Sequence, residues 1–335
     1  MNSIVAIGYL IASILFIFGI KGLTHPRTAV RGNLISSIGM LIAIIATVLL
    51  LKGEVAYKII IGGVIVGSAI GMILAIRTPM TAMPQMVALL NGFGGGASVL
   101  VAGAMLFNSL SPITAKQELI ATGLSGLIGT VTFWGSLVAY AKLEEIKGFK
   151  GNVSFFGQQF LNALLLVGAI FFTGWLTINH SDTWTYVVIV SLSTILGFTL
   201  VLPIGGADMP VVISLLNSYS GLAAAATGFV LNNTMLIITG SLVGASGLIL
   251  TQIMCKAMNR SLANVLFGKI DSSSASASAD SVYAGKIKST SAAEIAMLLE
   301  DARRVVIVPG YGMAVAQAQH AVRDLYNLLE KRGVT

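Results

Sequence analysis

Charge is what this sequence has least of. Only 10% of its 335 residues are Asp, Glu, Lys or Arg, where a soluble globular domain carries about 25%. With 56% hydrophobic residues, the chain has more apolar surface than a core of this size needs, and a bilayer is the solvent that absorbs the excess. Cysteine is nearly absent too. The single Cys255 excludes an intrachain disulfide. Three scattered histidines (His25, His180 and His320) give no zinc spacing, so no metal is expected. The first apolar run, 4–20, has no basic segment before it and no small-residue cleavage site after it. It reads as a retained membrane segment rather than a signal peptide. The net charge is +7. In a membrane protein such a surplus collects in cytoplasmic loops, and no nucleic-acid partner is expected.

What the sequence does have is apolar runs of spanning length. A helix crosses the hydrocarbon with about 20 mostly apolar residues. Nine runs qualify: 4–20, 34–51, 58–76, 84–107, 119–140, 159–178, 184–202, 209–230 and 234–254. An odd number puts the two ends on opposite sides. One side then receives Lys21, Arg27, Arg31, Arg77, Lys142, Lys147, Lys150, Lys256, Arg260 and Lys269, and the other only Lys52, Lys58 and Lys116. The excess of Lys and Arg on the cytoplasmic side predicts an outside N-terminus and a cytoplasmic C-terminal region. Gly63, Gly67 and Gly71 recur every four residues, and Gly92 and Gly96 form another such pair. In lipid this spacing lets helix backbones approach closely, so tight packing is expected at both.

Few polar residues fall inside the runs. A charge at the bilayer centre costs roughly 2.5–3.5 kcal/mol, which makes each one a functional candidate. Asp208 stands at the mouth of the eighth run, just before Pro210, where it either serves function or caps the positive helix end. Asn217 and Ser220 are three apart and share a face. Asn91 and Ser136 are further polar positions on the fourth and fifth runs. Each alone is more often glue between helices than a proton carrier; together they would line a hydrated path.

After the ninth run the composition changes. The stretch 271–285, "DSSSASASADSVYAG", reads as a flexible linker. Ser291 and Glu294 have capping-box spacing, which predicts a helix over 292–302. A buried strand over 305–308 and an amphipathic helix over 314–332 follow, with Ala318, Val322, Leu325 and Leu329 on one face. Gly310-Tyr311-Gly312 lies between that strand and that helix, the context in which two glycines admit a pyrophosphate to a helix N-terminus. The third glycine position is Val315, beside Ala316, so the pattern is imperfect and a tight turn of another α/β domain stays open. A dinucleotide fold needs two βαβαβ halves. One strand and one helix predict an incomplete site on a fragment of a longer protein. The expected fold class is an all-α polytopic membrane bundle of about nine transmembrane helices (1–258), a linker (259–290), and the first βα unit of a truncated Rossmann-like α/β domain (291–335).

Three stretches, "GGADMPVVISLLNSYSGLAAAATGF" (205–229), "IMCKAMNRS" (253–261) and "VPGYGMAVAQAQHAV" (308–322), follow one another in fixed order. They and the chain as a whole resemble the beta subunit of the proton-translocating NAD(P) transhydrogenase. The resemblance implies a multi-pass protein of the inner (cytoplasmic) membrane in which hydride transfer between NAD(H) and NADP(H) is coupled to proton translocation. It implies a partner alpha subunit that carries the NAD(H) domain and further membrane helices, in a dimer of heteromers. It places Gly310, Tyr311, Gly312, Met313, Ala314, Val315, Ala316 and Gln317 along NADP(H). It assigns Asp208, Asn217, Asn91, Ser136 and Ser220 to the proton path or its gate, and Arg260 to the junction of membrane and nucleotide domains. Asn91 stands where some family members carry a histidine, so the titrating group is expected on a partner subunit. The alternative is an ion channel or transporter regulated by a nucleotide-sensing Rossmann-like domain. Such domains usually keep the third glycine and a later acidic residue at the end of a strand, whereas Glu330 falls in the expected helix.

Overall fold

The computed structural model describes residues 3–49, 54–107, 115–149, 153–179, 182–267, 291–310, 313 and 318–334. The chain divides into two compact units, Met1–Lys269 and Ile270–Thr335.

In the first unit, nine helices among the described residues are long and apolar enough to cross a membrane. They are α1 (Ser3–Leu23), α2 (Pro26–Val48), α3 (Glu54–Arg77), α4 (Met83–Leu106), α5 (Lys116–Leu143), α6 (Gln158–Ile178), α7 (Trp184–Val201), α8 (Met209–Val230) and α9 (Thr234–Ala257). Each contains most of one expected run. The largest difference is α2, which begins eight residues early because Pro26 fits the first turn of a helix, where an N–H is unpaired anyway.

Burial runs against apolarity, as lipid dictates. The two least apolar spans hold the centre, with 67% of the window buried in Lys116–Leu143 and 61% in Gly206–Val230, whereas the most apolar, in α3, buries none. Lipid tails are as apolar as leucine, so small and polar faces gain most by meeting each other. Accordingly α5 packs on α4, α6, α7 and α8, and α8 packs on α4, α5 and α9, while the α1–α2 pair attaches through α9. At the α4–α5 crossing a Cβ on Gly95 would lie 2.6 Å from the Gly129 carbonyl oxygen. Gly92 approaches Ser136 and Gly96 approaches the Phe133 ring, so the expected contact at 92 and 96 is present. The one at Gly63, Gly67 and Gly71 is not. Nothing lies within 4 Å of a Cβ at any of the three, because α3 sits at the margin with its glycine stripe unopposed.

Three helix ends are closed alike. Glu145, Asn232 and Asn259 adopt φ of +52°, +50° and +53°. The next residue's N–H then turns back to a carbonyl five residues earlier: Ile146 to Ala141, Asn233 to Gly228 and Arg260 to Cys255. This Schellman ending satisfies otherwise unpaired carbonyls, and asparagine tolerates the left-handed conformation better than most residues. Beyond the third such turn comes α10 (Leu262–Phe267). Its Val265 is buried with Val212, Ile204 and Cys255, so a short packed helix lies at the start of the expected linker 259–290. The serine-rich stretch 271–285 lies outside the described residues.

In the second unit, α11 (Ala292–Glu300) starts at the expected capping box. Ser291 Oγ accepts from the Glu294 N–H, and the Glu294 carboxylate accepts from the Ser291 N–H. The final helix is α12 (Gln319–Lys331), with Leu329 buried and Val322 half-buried. The expected strand at 305–308 is not formed, and no strand occurs among the described residues. Val306 and Val308 are largely exposed. A strand is defined by its ladder partner, and no other described segment pairs with this one. An apolar run alone therefore did not make a βα unit.

Candidate functional site

The α7–α8 connection ends in a 3₁₀ turn, Gly206–Asp208, and Pro210 opens α8. This local order seats Asp208 under the core, 1% exposed. Asp208 is the N-cap residue of α8 but its side chain makes no capping hydrogen bond, and neither carboxylate oxygen has a hydrogen-bond partner among the described residues. What it has is a cation. Arg260 Nε lies 3.3 Å from Asp208 Oδ1, with 38% of the arginine side chain exposed. The Schellman turn at Asn259 brings Arg260 back over the end of α9, and Ser261 accepts from the Asn264 N–H to start α10. The motif "MNRS" thus ends one helix, places the guanidinium and begins the next. Residues 52 positions apart in the chain meet as a half-buried ion pair.

A second group gathers deeper, where α4, α5 and α8 meet. Asn91 donates from Nδ2 to the Ile213 carbonyl oxygen at 3.1 Å. Ser136 is fully buried beside Gly92, and its Oγ has no partner. Ser220 faces α4, its Oγ 2.6 Å from where a Cβ on Gly94 would stand. Asn217 is half-buried on the same helix. At 1.5 Å of rise per residue, Asn217 lies about 13 Å along α8 from Asp208. The structure thus brings Asp208 and Arg260 together at the mouth and sets Asn91, Ser136 and Ser220 along the contacts of α4 with α5 and α8.

Polar side chains not assigned to the path also tie these helices together. Ser214 and Ser218 donate to the Gly247 and Gly244 carbonyls of α9, and Thr251 donates to Ser214. Ser125 and Thr227 bond at 2.8 Å between α5 and α8. The i, i+4 spacing of Ser214 and Ser218 was the available signal. Lys142 was counted as a loop charge, yet it is 8% exposed. It lies three residues beyond Ala139 and six beyond Ser136, on the buried stripe of α5.

Of the nucleotide residues, Gly310 and Met313 are described. The Met313 N–H donates to the Gly310 carbonyl oxygen at 3.1 Å, and among the described residues nothing lies within 4 Å of a Cβ at Gly310. Tyr311, Gly312, Ala314, Val315, Ala316 and Gln317 lie outside the described residues. No cluster of three or more His, Cys, Asp or Glu side chains suited to a metal occurs among the described residues.

These features define a class: a multi-pass membrane protein whose core helices carry polar side chains and end in a buried carboxylate paired with a half-exposed arginine. The comparisons narrow it. A family profile described as NAD(P) transhydrogenase beta subunit matches residues 5–335. The NAD(P) transhydrogenase subunit beta of Rhodospirillum rubrum is 43% identical over 341 residues, covering 99% of this chain and 73% of that protein. A strain-designated sequence of the same name and organism gives the same figures. The chain belongs to the NAD(P) transhydrogenase beta subunit family. The channel or regulated-transporter alternative is not favoured.

Proposed function

We propose that this chain couples hydride transfer between NAD(H) and NADP(H) to proton translocation, with the Asp208–Arg260 pair as the coupling element. The observation that carries this reading is a 1%-exposed carboxylate with no hydrogen bond, held by one guanidinium that water can reach. Coupling needs an element with two states whose balance two separate events bias. A proton on Asp208 removes the charge that holds Arg260. A pull on Arg260 from the cytoplasmic side leaves the carboxylate buried with its charge uncompensated. One unit charge crossing 100 mV supplies about 2.3 kcal/mol, more than the 1.4 kcal/mol that shifts an equilibrium tenfold. Asn91, Ser136, Asn217 and Ser220 carry the proton on through the core by way of water or a titrating group on a partner subunit.

The domains of this reading are a translocating domain (1–258), a linker (259–290) that contains α10, and the start of an NADP(H) domain (291–335). The turn closed from the Met313 N–H to the Gly310 carbonyl oxygen, on the approach to a helix, is the context that suits a pyrophosphate. Gly310, Tyr311, Gly312, Met313, Ala314, Val315, Ala316 and Gln317 would hold NADP(H), which supplies the hydride acceptor and donor when bound. An alpha subunit brings NAD(H) and further helices, in a dimer of heteromers, with the N-terminus outside and the C-terminal region cytoplasmic. Asp208→Asn in the assembled enzyme in proteoliposomes is expected to abolish gradient-driven hydride transfer while leaving gradient-free transfer. Unchanged proton pumping by Asp208→Asn overturns the proposal.

A further inference from the structure

Lys142 closes α5 just before its Schellman turn, with the Glu145 N–H bonded to the Lys142 carbonyl oxygen. Its own ammonium turns away from the loop it precedes. It donates to the Leu202 carbonyl oxygen and, at 2.8 Å, to that of Ile204. These acceptors are the C-cap of α7 and the second residue beyond it. A cation suits that place because the last carbonyls of a helix are unpaired and carry the negative end of its dipole. One ammonium has three donors on a single atom, enough to hold two carbonyls of a turning chain at once.

The anchored segment leads straight to Asp208. Ile204 is itself buried and bonded back from its N–H to Val201, Gly205 is extended, and the Asp208 N–H closes the 3₁₀ turn onto the Gly205 carbonyl. Three residues, Gly205, Gly206 and Ala207, separate the lysine's second acceptor from Asp208. One end of the loop is fixed by a buried ammonium from α5 and the other by a guanidinium from beyond α9. Burying a lysine to 8% exposure is costly unless its donors are used, so a neutral apolar residue would be the cheaper choice if packing alone were required.

We propose that Lys142 is a positioning residue for Asp208: by tying the Leu202 and Ile204 carbonyls it fixes the loop that sets the carboxylate against Arg260. This rests on the reading of Asp208 as the coupling carboxylate. The test uses the assembled enzyme in proteoliposomes and scores each variant by the ratio of gradient-driven to gradient-free hydride transfer, which cancels differences in amount of folded enzyme. Lys142→Met and Lys142→Gln are expected to lower the ratio by about tenfold or more, equivalent to the loss of roughly one charged hydrogen bond. Lys142→Arg, which keeps charge and donors, is expected to restore it to within about twofold of the parent. An unchanged ratio in Lys142→Met, a loss in Lys142→Arg as large as that in Lys142→Met, or failure of both neutral variants to reach the membrane overturns the positioning role. If Asp208→Asn alone leaves coupling intact, the reading of Asp208 fails first, and the two failures are thereby distinguished.

Discussion

Replacing Arg260 with alanine strands the Asp208 carboxylate in a site where it is 1% exposed and has no hydrogen bond. At 3.3 Å and an effective dielectric near 20 the pair attracts by about 5 kcal/mol. Desolvating the carboxylate takes back several kcal/mol, so the net worth of the pair is small. Removing one partner is different, because it forfeits the attraction and keeps the desolvation, a loss of about 3–5 kcal/mol for a fully buried pair. Arg260 is 38% exposed, and water already screens that side, so about 2–3 kcal/mol is expected here. Asp208→Asn is expected to cost only about 1 kcal/mol, because the released guanidinium finds solvent. The double variant should lie within about 1 kcal/mol of Asp208→Asn, since removing both charges leaves nothing uncompensated. Equilibrium unfolding in mixed detergent micelles gives the three differences. Equal costs for the two single variants, adding in the double, would refute the argument that burial of an unsatisfied carboxylate dominates this site.

Two further predictions test the packing and the second unit. Gly129→Ala puts a methyl 2.7 Å from the Gly95 carbonyl oxygen and is expected to destabilise the bundle by about 1–3 kcal/mol through overpacking. Gly67→Ala meets open space, so it is expected to change stability by less than about 0.5 kcal/mol in the same melts. Ser291→Ala removes one half of the capping box and is expected to cost about 1 kcal/mol, read as faster amide exchange in α11 with α12 unchanged.

The spans were legible because each is a single long apolar run, and length alone decides a crossing. Which spans lie inside was harder to read, since it depends on small and polar stripes that repeat in several helices. The glycine series of α4 and of α3 look alike in sequence, yet only the first meets a partner. The Ser291 box was readable because all its atoms lie within four residues. The strand at 305–308 was misread because an apolar tetrapeptide specifies burial, while a strand also requires a neighbour supplied from elsewhere. Asp208 and Arg260 stood out as charges near apolar runs, but their meeting depends on the left-handed turn at Asn259 and on the packing of α8 against α9. Lys142 was hidden by the same habit of thought that oriented the helices. Counting a lysine as a loop charge assumes that it reaches water, and this one turns back onto the end of α7.

The way α8 is fastened limits how the ion pair can act. Ser218 and Ser214 bond it to the Gly244 and Gly247 carbonyls of α9, and Asn91 bonds it to α4. A Cβ on Gly247 would meet the Ser218 backbone at 2.8 Å, so the two backbones lie as close as helices can. A slide of α8 along α9 would break both serine bonds and force those backbones past each other. Asp208 precedes α8 and Arg260 follows α9, so both belong to the same end of this rigid pair. Opening the ion pair therefore requires no helix movement, only a swing of the half-exposed arginine or a shift of the loop 203–207. On the proposed reading, switching is local to that end, and the remaining control on the loop comes from outside the α8–α9 pair, through the ammonium of Lys142 on α5.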